Sequence, residues 1–175
     1  MNLFAPVGKY LITVDDTLSD VQATIMTDGD LISNNKIILS DVIKQQGGGS
    51  ILQEAWLLQQ DTGATGDLEK TATELYVFNN LDALGVLVSG DPFTLDGTTT
   101  IANVVYHKIF ASGDWVTIKD GDNCYLVAKD INVLCKAKES TQYSLAYCWV
   151  TGGAPTFSNH TLTSRFVFEQ CKTRE

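Results

Sequence analysis

Tyr143-Ser144-Leu145-Ala146-Tyr147-Cys148-Trp149-Val150 decides the fold class. The large residues Tyr143, Leu145, Tyr147 and Trp149 fall on every second position, and the small residues Ser144, Ala146 and Cys148 fall between them. A period of two belongs to a strand, whose successive side chains point to opposite faces. Downstream, Leu162, Phe166 and Phe168 alternate with Arg165 and Glu169. That pattern predicts one dry face and one wet face, as in an antiparallel sandwich.

Working outward, the same period recurs upstream. Tyr10, Ile12 and Val14 share one face and Lys9, Leu11 and Thr13 the other; Val21, Ala23 and Ile25 repeat the pattern, and Ile37 and Leu39 alternate with Lys36 and Ser40. Between these runs stand turn signals: Asp28-Gly29-Asp30, Asn34-Asn35, Gly47-Gly48-Gly49, Asp96-Gly97, Ser112-Gly113-Asp114, Asp120-Gly121-Asp122-Asn123 and Gly152-Gly153. Asp-Gly and Gly-Gly pairs accept the positive φ of tight hairpins. Short strands broken this often predict an all-β, antiparallel, jelly-roll-like β-sandwich with little helix. One segment conflicts: residues 51–58, Ile-Leu-Gln-Glu-Ala-Trp-Leu-Leu, have helix-forming composition, with Leu52 and Trp56 on a helical stripe. We read it as a strand because it follows a triple glycine. Residues 81–90 have room for a short helical turn.

The chain has 175 residues, 44% of them hydrophobic and 19% charged. That size suffices for a core without disulfides or a metal, and predicts a single sandwich domain over residues 9–175. Residues 1–8 read either as a docking arm or as a frayed terminus. They have no basic region followed by a long apolar run, so no signal peptide is expected, and no apolar stretch approaches the roughly 18 residues of a spanning helix. The net charge of −9 disfavours phosphate backbones and anionic membranes as partners.

The search for chemistry finds little. His107 lies in the strand-like run 104–109 and reads as structural; His160 reads as a hydrogen-bonding loop residue. No GxSxG, HExxH or Walker loop occurs. Gly47-Gly48-Gly49-Ser50 lacks the Lys of a phosphate cradle and reads as a turn. Asp120-Gly121-Asp122-Asn123 offers clustered oxygens suited to calcium, but a hairpin turn fits better than the EF-hand spacing. Cys124, Cys135, Cys148 and Cys171 have no metal-ligand spacing. Each lies in a strand-like segment, so free buried thiols are expected, with a Cys148–Cys171 bridge as the alternative. No catalytic residue, metal or cofactor is therefore assigned. Trp56, Trp115 and the arm residues Leu3 and Phe4 are the expected partner contacts, because aromatic and exposed apolar residues are enriched at interfaces. The same tryptophans leave a carbohydrate-binding module as a further reading.

The order of segments resembles a group of small β-sandwich structural proteins of tailed-phage virions. The matching stretches are Asp30-Leu31-Ile32, Gly47-Gly48-Gly49-Ser50-Ile51, Asp61-Thr62-Gly63-Ala64, Leu75-Tyr76-Val77-Phe78-Asn79, Leu145-Ala146-Tyr147-Cys148-Trp149, Gly153-Ala154-Pro155-Thr156-Phe157 and Leu162-Thr163-Ser164-Arg165-Phe166. They span roughly residues 20 to 168, and consist of turn and strand chemistry rather than of site residues. The helix-prone segment 52–58 and the four cysteines depart from that pattern. The resemblance implies a non-enzymatic part of the virion, assembled in the host cytoplasm. It implies a head-decoration or cement protein binding the major capsid protein, or else a tail or fibre adaptor, in either case as a homo-oligomer.

Overall fold

The computed structural model describes residues 11–18, 25–33, 37–39, 42–43, 49–62, 68–79, 89–95, 101–118, 122–136, 145–157 and 159–170. Among the described residues there are ten strands: β1 (Leu11–Thr17), β2 (Ile37–Leu39), β3 (Gly49–Asp61), β4 (Thr73–Phe78), β5 (Val104–Phe110), β6 (Val116–Thr117), β7 (Asn123–Ala128), β8 (Val133–Lys136), β9 (Leu145–Thr151) and β10 (His160–Gln170). They form two antiparallel sheets, one ordered β1-β10-β3-β7-β6 with β8 also on β3, the other β2-β9-β4-β5. The chain crosses repeatedly between the sheets, staying in one sheet only from β4 to β5 and from β6 to β8; the first and last strands pair and the second lies beside the ninth. This is the jelly-roll arrangement of interlocked Greek keys.

Residues 51–58 lie in the middle of β3, the longest strand at 13 residues. Helix propensity loses here because Leu52, Ala55 and Leu57 reach the core only when the segment is extended between β10 and β7. A bulge near Gln53 accommodates one extra β3 residue opposite Val167 and Phe168. Across from it, Ile131 N–H donates to the Gln53 carbonyl at 3.1 Å. Asp130 and Asn132 take positive φ, 55° and 54°, and so loop out between β7 and β8. These two strands pair with successive stretches of β3 and act as one interrupted column.

The core lies between the sheets. Leu162, Phe166 and Phe168 of β10 meet Leu145, Tyr147 and Trp149 of β9, with Leu75, Val77 and Phe110 alongside. The two largest buried rings are anchored as well as packed. Trp149 Nε1 donates to Ser164 Oγ at 2.7 Å, and Tyr147 Oη donates to Asp16 Oδ2 at 3.2 Å. Each satisfies a polar atom whose burial would otherwise cost about 1–3 kcal/mol. Burial pushes the Tyr147 phenol well above its ordinary value.

Two expected turns have visible reasons for glycine. Gly29 has φ +89° in the Asp28–Gly29 turn, and the Asp30 carboxylate closes that turn by accepting from Thr27 N at 2.6 Å. Gly153 passes so close to Thr71 that a Cβ would collide with its hydroxyl. Three expectations need correction. Ile25 lies in no strand and is exposed, and its neighbour Met26 is the buried residue, because the chain there runs as irregular backbone. Gly49 opens β3 rather than closing a turn. His160 is the first residue of β10 and not a loop residue. The strand placements of Tyr10, Val21 and Ala23, the Asn34-Asn35, Asp96-Gly97 and Asp120-Gly121 turns, and the helical turn within 81–88 lie outside the described residues.

Candidate functional site

The polar groups that sequence singled out are absorbed by structure. His107 Nε2 lies 2.9 Å from Glu74 Oε2, and Tyr76 Oη donates to the same oxygen at 2.6 Å. The His107 and Tyr76 rings stack at 4.2 Å and 14°. Burial, then the Glu74 hydrogen bond, push the Tyr76 phenol well above its ordinary range, so it holds its proton as a donor. The three groups make a cross-strand clasp between β4 and β5. Burial also raises the thiols, Cys124 to about 11 and Cys135 to about 12, with Cys148 raised for the same reason. All three are free and protonated near neutrality, a poor state for nucleophiles or ligands; Cys171 lies outside the described residues. Among the described residues no cluster of His, Cys, Asp and Glu is arranged to hold a metal. A shallow cleft of about 380 Å³ lies between Glu69, Lys70, Thr71, Ser112 and Pro155, open and polar rather than enclosed.

The outer faces of the two sheets are where the molecule becomes informative. The outer face of the four-stranded sheet is apolar over β9 and the end of β4 and is covered there by the chain itself, while Ile109 at the β5 edge is 59% exposed. Phe78, Ala146, Cys148 and Val150 form a second small core with Leu31, against which Tyr76, Phe93, Leu95 and Val104 pack. Segments 29–31 and 90–93 hold each other over this face through Leu31 N to Asp91 O at 3.0 Å and Phe93 N to Gly29 O at 2.8 Å.

The outer face of the six-stranded sheet has no such cover among the described residues. Its cross-strand rows follow from the register. Asp15, Arg165, Trp56 and Val127 form one row, and Thr17, Thr163, Leu58, Tyr125 and Val116 the next. Leu11, Glu169, Ile51 and Leu134 form a third at the other end. Leu11 is 61% exposed and Leu134 58%, and Val116 and Ile118 are exposed as well. Trp56 is the centre of the face. Its ring lies 5.3 Å from Tyr125, tilted 43°, Lys129 Nζ sits 5.1 Å over it, and its Nε1 donates to Glu54 Oε2 at 2.9 Å. Beside it Arg165 makes a two-pronged bond to Asp15, 2.7 and 2.8 Å.

Of the expected contact residues, Trp56 alone lies on this face. Trp115 is only 7% exposed, with Nε1 donating to the Thr71 carbonyl at 2.7 Å. Its ring is turned into its own chain, because the 3₁₀ turn Ser112–Asp114 carries the backbone over the sheet edge. Leu3 and Phe4 lie outside the described residues. Tyr125, Leu58, Glu54 and Lys129 were missed. The available signal was the unbroken apolar run Ala55-Trp56-Leu57-Leu58, which marks a strand apolar on both faces.

No protein-family model matches the chain, and no curated protein matches it. Among solved structures it is similar to a chain of tomato aspermy virus, with a TM-score of 0.38 and 7% identity over 100% of this chain and 85% of that one. It is also similar to a chain of desmodium yellow mottle tymovirus, with a TM-score of 0.28 and 15% identity over 100% of this chain and 97% of that one. The jelly-roll assignment rests on the strand order itself.

Proposed function

We propose that this protein is a non-enzymatic structural component of a virus particle. Its finer role is a decoration or cement protein that binds the major capsid protein of a tailed-phage head as an oligomer. One observation carries the reading. Among the described residues, the chain covers the apolar centre of the outer face of its small sheet and leaves that of its large sheet open, as expected of one layer in a larger assembly. The sequence resemblance to virion β-sandwich proteins points the same way. So does the net charge of −9, which keeps such a protein from competing for packaged DNA. Residues 9–175 then form the sandwich, Leu3 and Phe4 on arm 1–8 contact the shell, and Trp56 is a contact on the open face, where subunits of the assembly meet. Many copies on a symmetric shell gain avidity, so each contact can be modest. Glycan binding is disfavoured, because Lys129 takes the Trp56 ring face on which a sugar would stack. The test is co-sedimentation of the purified chain with separated heads and tails. Saturable binding to heads, at a fixed ratio to the shell protein, is expected. Binding to tails alone would make the protein an adaptor, and binding to neither would remove it from the particle.

A further inference from the structure

We infer that the open face of the six-stranded sheet binds a second copy of this chain, face to face, about a two-fold axis running along the seam between β3 and β7. This rests on reading that face as a docking surface, but not on the assignment to a virion.

Charge favours this pairing. A chain of net charge −9 repels its own copies, yet this face is balanced. Among the described residues its carboxylates are Asp15, Glu54 and Glu169, and its cations are Arg165, Lys129 and Lys136. It is a place where two such acidic bodies meet without a Coulombic penalty.

Strand register favours it as well. A two-fold axis parallel to the strands and above the β3–β7 seam places each β3 residue of one copy over the β7 residue that neighbours it within its own sheet. The pairing of β3 with β7 therefore specifies the contacts. Trp56 falls on Val127 and Leu58 on Tyr125, apolar on apolar. Gln60 falls on Asn123, amide on amide. One step beyond the pair Ala55–Ala128, Glu54 falls on Lys129, acid on base. Flanking columns agree, with Thr163 of β10 over Val116 of β6. The facing strands are antiparallel, and the natural twist sets them about 30° apart. Because the two-fold makes every contact twice, both Glu54–Lys129 pairs form.

The size agrees. The four columns that overlap, β10, β3, β7 and β6, at about 4.8 Å, and seven residues at about 3.3 Å make a plate roughly 20 Å on a side. That suits a small specific interface, one that assembles reversibly, and not an obligate one.

The test is sedimentation velocity on the full chain over a concentration series, with circular dichroism to confirm that each variant folds. The wild-type chain should pass from monomer to dimer. Glu54→Lys places cation opposite cation twice and should weaken dimerisation about tenfold. Lys129→Glu should do the same with carboxylates. An equimolar mixture of these two variants should dimerise like wild type, since each supplies the charge the other lacks. A chain that stays monomeric to millimolar concentration overturns the proposal. So does a dimer that neither variant weakens. A wild-type chain that forms no dimer at any concentration, together with loss of binding to heads in Leu58→Asp, also overturns it while leaving the docking face itself intact.

Discussion

The two outer faces of this sandwich carry similar side chains and meet different fates. On the four-stranded sheet, Tyr76, Phe78, Ala146, Cys148 and Val150 would form an aromatic and aliphatic plate, but the Gly29–Leu31 and 90–95 segments lie across it and Phe93 seals it at 5.0 Å from Tyr76. On the six-stranded sheet, Trp56, Leu58, Tyr125 and Val127 form such a plate, and no described segment crosses it. Apolar surface removed from water contributes about 25 cal/mol per Å² wherever it is removed. The first face therefore adds to the stability of the monomer, whereas the second holds that contribution in reserve for association. The difference is also electrostatic. The covered face is joined by the Glu74–His107–Tyr76 clasp, and the open one carries charges of both signs beside its apolar centre.

Substitutions on the two faces should therefore separate stability from assembly. The largest effect is expected for Phe78→Ala, whose ring is fully buried under the covering segments. It should lose about 3–5 kcal/mol, read as a lower urea midpoint, with association unchanged in whatever fraction remains folded. Leu58→Asp on the open face should do the reverse. Its unfolding free energy should shift by less than about 1 kcal/mol, while sedimentation shows association abolished. If Leu58→Asp instead costs as much stability as Phe78→Ala, the open face is internally packed and the contrast fails.

Two smaller effects sharpen the comparison. Cys148, enclosed at the covered face, and Cys124 and Cys135 in the main core should resist alkylation at pH 8 in the native chain and react on denaturation. Their pKa values are raised by burial, so little thiolate exists below about 11. Rapid native labelling, read by mass spectrometry, would mean that these faces open. The smallest effect belongs to the Asp15–Arg165 pair on the open face. The Arg165 hydrogen bond holds the Asp15 carboxyl below its ordinary value. Its stabilisation is thus complete above the unfolded pKa of about 4 and is lost as pH falls through the lower folded value. Both side chains are about half exposed, so solvent screening reduces the contribution to a few tenths of a kcal/mol. Asp15→Asn should lose that amount at pH 7 and nothing at pH 2.

Sequence carried the fold further than the site. The two-residue period of β9 and β10 was legible because β10 has one wet face, where Arg165 is exposed between Ser164 and Phe166. For β9 the same period predicted two faces of different size but not that both would be buried, since covering the second face takes segments distant in sequence. Residues 51–58 were ambiguous because Leu, Gln, Glu and Ala favour helix locally, and only flanking strands 65 or more residues away, such as β7, make extension the better state. Trp115 looked like a contact by residue type, yet a backbone carbonyl at Thr71 captures its N–H and turns it inward. Glu54 and Lys129 lie 75 positions apart, and nothing short of strand register places them on one row.

An open face must be solvated in the free monomer and lost to solvent on association. Hydroxyl-radical footprinting of the wild-type chain at low and high concentration, with Phe93 as the covered-face reference, measures this at single residues. Oxidation of Trp56 and Tyr125 should be high in the monomer and fall several-fold at high concentration, with Phe93 low throughout. Equal oxidation of Trp56 and Tyr125 at every concentration, or oxidation of Phe93 matching theirs, would contradict it.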